Sequence, residues 1–192
     1  FFNKKDLSPK QDVLIMPETS IFVIKKYFPE IPKIVFNQNA SYTFGINKKV
    51  SYKTVIDIYS DPIIAHVICV SKADYYFLTS ILGLSPDRVS LIINAIETDL
   101  FMFGVKKKKQ ISFMPRKNPL HAQIVVSALI RKSWFKGWKV KLLDNMNQDE
   151  VAKSLMESLG FLAFGHPEGF GLPLAEACAC GCQIIGYSGI GG

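Results

Sequence analysis

The chain has 192 residues, 48% hydrophobic and 20% charged, a globular balance that excludes a disordered or low-complexity protein. No apolar run approaches the roughly 20 residues that span a bilayer, which argues against a transmembrane helix. A formal net charge of +7 bears on partners rather than fold, and suits a phosphorylated substrate, an anionic membrane surface or nucleic acid.

The chain opens with Phe1-Phe2-Asn3-Lys4-Lys5, which has no initiator Met and no signal-peptide pattern, so the sequence is expected to begin inside a longer protein. Residues 12–16 then read as a strand ending at Pro17, and 21–28 as a helix stopped by Pro29. Residues 33–36 form a second strand running into the polar turn Asn37-Gln38-Asn39, and 51–60 a helix broken by Asp61-Pro62. The near-continuous apolar run 63–70 fits a strand covered on both faces. Ser71 stands at a helix N-cap with Asp74 three residues on, Gly83 ends that helix, and 88–93 are one more strand. A second series follows: strand 111–114, helix 120–132, strand 138–143, helix 148–159 capped by Asn147 with Glu150, strand 160–164, helix 172–179 and strand 182–186. Strands alternating with helices predict an α/β protein with parallel sheets, and the break near 95–110 divides it into two such sheets.

Two clusters invite functional readings that the spacing does not support. The lysine run 106–109 sits between predicted elements and reads as a solvated connection, with no RNA- or DNA-binding signature beside it. Cys178, Cys180 and Cys182 lack a second ligand pair at zinc spacing, with only Cys69 far upstream, so they read as small residues at a helix end. No metal site is expected. His66 lies in a buried-looking strand and reads as a satisfied core histidine.

The chemistry gathers in residues 166–182. A strand ends near Phe164, a Gly-rich turn follows, and a helix begins near Leu172 with Pro173 in its first turn, where a missing N–H has no helical partner to lose. Gly169 and Gly171 let the backbone approach a ligand, and the amides of Phe170 to Leu172 stand at the positive end of the helix dipole. Such a helix start suits a phosphate. Glu176, one turn on, leans back toward the helix start, and a carboxylate there can accept two hydrogen bonds from a vicinal diol of a ribose or hexose. Glu168 precedes the turn on the other side.

Glu168-Gly169-Phe170-Gly171-Leu172-Pro173, then Glu176-Ala177 and Ala179-Cys180-Gly181-Cys182, resembles the E-x7-E signature of retaining glycosyltransferases with the two-domain GT-B fold. The resemblance implies Rossmann-like parallel sheets, with residues 1–105 forming the later part of an incomplete acceptor-side domain plus linker. Residues 106–192 would then be a nucleotide-sugar-binding domain truncated at its end. It implies that Glu168 contacts the donor sugar, that Glu176 binds the ribose, and that the amides from Gly169 to Leu172 lie near the sugar and diphosphate. Met114-Pro115-Arg116-Lys117 matches the basic pair that neutralises the leaving diphosphate, a charge that bond cleavage makes necessary. Arg116 fits the pattern; the second cation is Lys117 or His121, which stands five residues on where the family has Lys. Asn94-Ala95-Ile96-Glu97 with Phe101 resembles the linker before the second domain. By position Asn145 and Met146 would lie beside the nucleobase, and His166 would line the site.

The resemblance further implies sugar transfer from a nucleotide-diphosphate donor to a carbohydrate or lipid-linked acceptor with retained configuration, without metal or cofactor. Catalysis would occur in the cleft between two domains. Family members commonly build surface polysaccharides at the cytoplasmic membrane face, so a cytoplasmic protein in peripheral contact with an anionic membrane is expected, and no nucleic-acid partner. The alternative is a non-catalytic nucleotide- or sugar-binding module on the same fold. A dinucleotide-dependent oxidoreductase fits poorly, because Gly169-Phe170-Gly171-Leu172-Pro173 lacks the G-x-G-x-x-G spacing.

Overall fold

The computed structural model describes residues 7–45 and 50–191, so the opening pentapeptide lies outside the described residues. Packing divides the chain into two compact units between Asn94 and Ala95.

In the first unit β1 (Leu14–Pro17), β2 (Lys33–Asn37), β3 (Ile64–Cys69) and β4 (Val89–Leu91) form one parallel sheet in sequential order. Helices α1 (Tyr52–Tyr59) and α2 (Lys72–Tyr76) join the later strands. Val35, Val55, Tyr59, Ile64, Val67 and Leu78 are buried together in its core. Ser51 and Ser71 cap the two helices through side-chain oxygens that accept from the Thr54 and Asp74 amides. The helix behind Ser71 widens into a π-helical turn over Phe77–Ile81 before Gly83, whose φ of +74° is a glycine conformation. Asp74 does not return to Ser71 to complete a capping box; its carboxylate is buried and accepts from the Ala40 amide at 2.8 Å.

The helix predicted over 21–28 is instead a 3₁₀ helix, Glu18–Val23, followed by turns. Its residues include the β-branched Ile21, Val23 and Ile24, poor helix formers, and Pro29 closes the window. Its first residue, Glu18, is 1% exposed and accepts from the Gln38 amide across the fold. His66 is half-buried rather than in the core, and it is satisfied, with Nε2 2.8 Å from Ser90 Oγ.

The second unit carries β5 (Lys108–Phe113), α3 (Pro119–Leu129), β6 (Lys139–Leu142), α4 (Gln148–Glu157), β7 (Ser158–Ala163), α5 (Leu172–Ala179) and β8 (Gln183–Gly186). All its strands are parallel, in the order β6-β5-β7-β8. Asn147 and Glu150 form the predicted reciprocal cap of α4, each side chain accepting from the other's amide at 2.9 Å. The segment before β5 packs on this unit: Phe101 is 3% exposed in its core, and a Cβ at Gly104 would overlap the Met156 carbonyl. The boundary expected at 105/106 therefore falls later in the chain than the division in packing.

Lys106, Lys108 and Lys109 are exposed, as a solvated run should be, but the run is not merely a connection. Lys108 and Lys109 belong to β5, and Lys107 Nζ donates to the carbonyls of Leu155 at 3.2 Å and Cys180 at 2.6 Å, near the ends of α4 and α5. A cation there satisfies late helical carbonyls and meets the negative end of each dipole. Lys108 pairs with Glu157 at 2.7 Å. Cys180 and Cys182 are buried at the end of α5, as small residues should be, but Cys178 is exposed. Burial pushes the Cys69 and Cys180 thiols up to about 11. Among the described residues no cluster of His, Cys, Asp and Glu is placed to hold a metal ion, and no helix is long and apolar enough to cross a membrane.

Candidate active site

The strand order of the second unit creates the site. From β5 the chain crosses to β6 on one side and returns past β5 to β7 on the other, so the connections leave the sheet in opposite directions. A crevice forms at such a reversal, outside the carboxyl ends of the strands. Here an open cleft of roughly 190 Å³ lies there, lined by Arg116 and Lys117 after β5, Asn145 and Met146 after β6, and Glu168 after β7. Met114 and Phe164 add apolar lining, and Pro173 and Leu174 bring in the first turn of α5.

Glu168 is held from several directions. Its amide donates to Gly189 O at 2.8 Å, and its Oε2 lies 2.6 Å from Lys117 Nζ, each side chain 17% exposed. Lys117 Nζ also donates to Pro167 O at 2.6 Å. A Cβ at Gly165 would collide with Glu168 Oε1, and one at Gly189 would come within 3.2 Å of Glu168 Cβ. Those two glycines make room for the carboxylate.

On the β6 side, Asn145 has a φ of +52°, a left-handed conformation that Asn tolerates better than most residues, and its Nδ2 lies 3.3 Å from Asp144 Oδ2. Arg116 is exposed, its guanidinium without a hydrogen-bond or ion-pair partner among the described residues. It can hold a diphosphate oxygen pair bidentately. Of the two candidates for the second cation, Lys117 lines the cleft. His121 lies in the first turn of α3, its Nδ1 2.7 Å from the Tyr187 hydroxyl.

Gly171 caps α5 with a φ of +84°, and Pro173 lies in the first turn. Among the described residues none accepts a hydrogen bond from the amides of Phe170, Gly171 or Leu172. Glu176 sits in the second turn, half-buried, and burial raises its carboxyl above the usual range. The structure thus gathers Glu168, Arg116, Lys117, Asn145 and Met146 on one cleft. Gly169, Phe170, Gly171, Leu172 and Glu176 are outside its lining, on the α5 side. His166 is outside it too, exposed, with its ring 5.6 Å from that of Tyr187.

Two contributors escape a reading of the sequence. Asp144 lines the cleft beside Asn145, and Asn118 donates through Nδ2 to the carbonyls of Phe164 and His166. Asp144 could have been suspected from its place at the end of a predicted strand; Asn118 carries no signal of its own.

Two parallel α/β units, the second with a reversed strand order and a cleft at the strand ends, are the architecture of the GT-B glycosyltransferase fold. The chain is 27% identical over 186 residues to an alpha-1,6-glucosyltransferase of Actinobacillus pleuropneumoniae serotype 7; the match covers 93% of this chain and 53% of that protein. The chain thus spans about half the length of this curated relative. Among solved structures it superposes on TarM with a TM-score of 0.66 at 13% identity, covering 96% of this chain and 42% of TarM. It superposes on HepE of Anabaena in complex with UDP with a TM-score of 0.62 at 13% identity, covering 91% of this chain and 60% of HepE. No protein-family model matches the chain.

Proposed function

We infer that the second unit is the nucleotide-sugar site of a glycosyltransferase. The protein would move a sugar from a nucleoside diphosphate to a carbohydrate or lipid-linked acceptor with retained configuration. The observation that carries this reading is the meeting of one carboxylate, Glu168, with two cations, Arg116 and Lys117, in a single cleft at the strand reversal. Support comes from the similarity to an alpha-1,6-glucosyltransferase and from the HepE structures with UDP and with UDP and glucose. A Staphylococcus aureus TarM variant was solved with fondaparinux, alpha-GlcNAc-glycerol and UDP, which favours a carbohydrate acceptor.

In this reading the bond between the sugar's anomeric carbon and the diphosphate oxygen breaks, and its electron pair leaves with the nucleoside diphosphate. The acceptor hydroxyl forms the new bond on the face that the diphosphate vacates, and its proton passes to the departing diphosphate oxygen. Arg116 and Lys117 stabilise the charge that grows on the diphosphate, and the amides of Phe170 to Leu172 add partial positive charge. Glu168 accepts from sugar hydroxyls, Glu176 from the ribose, and Asn145 with Met146 flanks the base. The acceptor side would belong to surface-polysaccharide synthesis at the cytoplasmic membrane face, toward which a net charge of +7 favours attraction.

Calorimetric titration of the folded chain with UDP, ADP and GDP and their glucose conjugates tests the reading. One nucleotide series should bind, and R116A should weaken it about tenfold or more through loss of a charge-assisted bidentate contact. A folded chain that binds none of them would refute it.

A further inference from the structure

Asn118 stands at the N-cap of α3 and does not cap it. Asn ranks with the best N-caps because its side-chain oxygen accepts from an amide in the first helical turn. Asn118 makes no such bond. Its amide nitrogen instead donates to Phe164 O at 2.7 Å and His166 O at 3.2 Å, across sequence separations of 46 and 48 residues. Those carbonyls flank Gly165 on the loop that leads to Glu168. The adjacent Lys117 takes the next carbonyl, Pro167 O, at 2.6 Å. From the other side, the Tyr187 amide donates to Ala163 O at 2.9 Å, and the Glu168 amide to Gly189 O at 2.8 Å. Loops between a strand and a helix are ordinarily among the mobile parts of a fold. This one is pinned along its length, twice by Asn118 and twice by Lys117.

We propose that Asn118 is a positioning residue for Glu168, surrendering the cap of α3 in order to fix the loop that presents the carboxylate to the donor sugar. This rests on the donor-site reading above. A carboxylate that must meet particular sugar hydroxyls gains from a loop already in place, because the ordering cost is met before the ligand arrives. The nucleotide part of the donor depends on Arg116, Lys117, Glu176 and the β6 loop, and the Asn118 side chain hydrogen-bonds to none of them. Loss of Asn118 should therefore weaken the grip on the sugar and spare the grip on the nucleotide.

The test titrates UDP and UDP-glucose into wild type, N118S, E168Q and the double variant. N118S keeps a good helix cap and loses the amide protons that reach the two carbonyls, without adding a charge beside Lys117; N118A replaces it if the serine hydroxyl reaches either carbonyl. UDP affinity of N118S should stay within about twofold of wild type, while the extra affinity contributed by the glucosyl group falls about tenfold. The double variant should bind UDP-glucose no more weakly than E168Q alone, since the two changes remove one coupled contact. Equal weakening toward UDP and UDP-glucose, or strictly additive losses with E168Q, would overturn the inference and leave Asn118 a structural residue. A wild-type chain that binds none of the UDP, ADP and GDP series would overturn the donor-site reading itself, and an E168Q variant equal to wild type the role of Glu168; where ADP or GDP binds in place of UDP, that nucleotide and its glucose conjugate are the pair titrated.

Discussion

Lys117 and Glu168 face each other at 2.6 Å with 17% of each side chain exposed, between the regimes of surface and buried ion pairs. An exposed pair contributes little, and a fully buried one cannot lose a partner without stranding a charge. K117M should destabilise the second unit by about 1–2 kcal/mol, discounted for the remaining solvent contact, and weaken nucleoside diphosphate binding. Urea unfolding measures the first effect and calorimetry the second; unchanged stability would mean the pair is solvent-screened. The roles argued for Arg116 and Glu168 rest on motifs a reader of the sequence can find, whereas Asn118 is invisible there. Its partners are backbone carbonyls more than forty residues away, and any sequence supplies backbone carbonyls.

At the scale of elements, local rules worked where local interactions decide. Asn147 and Glu150 are three residues apart, and their reciprocal cap needs nothing from the rest of the fold. N147A should cost about 1 kcal/mol, read as a shift of the urea midpoint with unchanged slope. Local rules failed where a distant group intervened. In place of the helix predicted over 21–28, a 3₁₀ helix begins earlier, at Glu18, whose side chain turns inward and accepts from the Gln38 amide. Lys107 reads as one of four interchangeable lysines until α4 and α5 bring the carbonyls of Leu155 and Cys180 to its ammonium group.

Over the whole molecule, buried acids set how stability responds to pH. Burial raises the carboxyls of Glu18 and Asp74 in the first unit and of Glu176 in the second. A carboxyl whose folded pKa exceeds its unfolded value is held protonated more tightly by the folded chain. Its stabilising effect is full below the unfolded value, near 4, and is lost as pH rises through the folded value. Asp61, held low by Lys25, works in the opposite direction, and only below the ordinary carboxylate range. The melting temperature should therefore rise as pH is lowered from 7.5 toward the unfolded carboxyl value, near 4. D74N should flatten that rise, because its side-chain oxygen still accepts from the Ala40 amide while no proton need be taken up. A D74N variant as pH-sensitive as wild type would show that Asp74 does not contribute.

The sequence by itself determined the alternation of strands and helices, the division into two parallel sheets, the caps of α2 and α4, and the span of α5. Each follows from periodicity, glycine and proline, or partners within four residues of one another. Only the tertiary structure decided the strand order β6-β5-β7-β8, which opens the cleft, and the seating of Lys117 rather than His121 in it. It alone also set the clamp of Asn118 on the Glu168 loop. Those features depend on which strand lies beside which, a choice made by burial summed over the whole sheet rather than by any short stretch of residues.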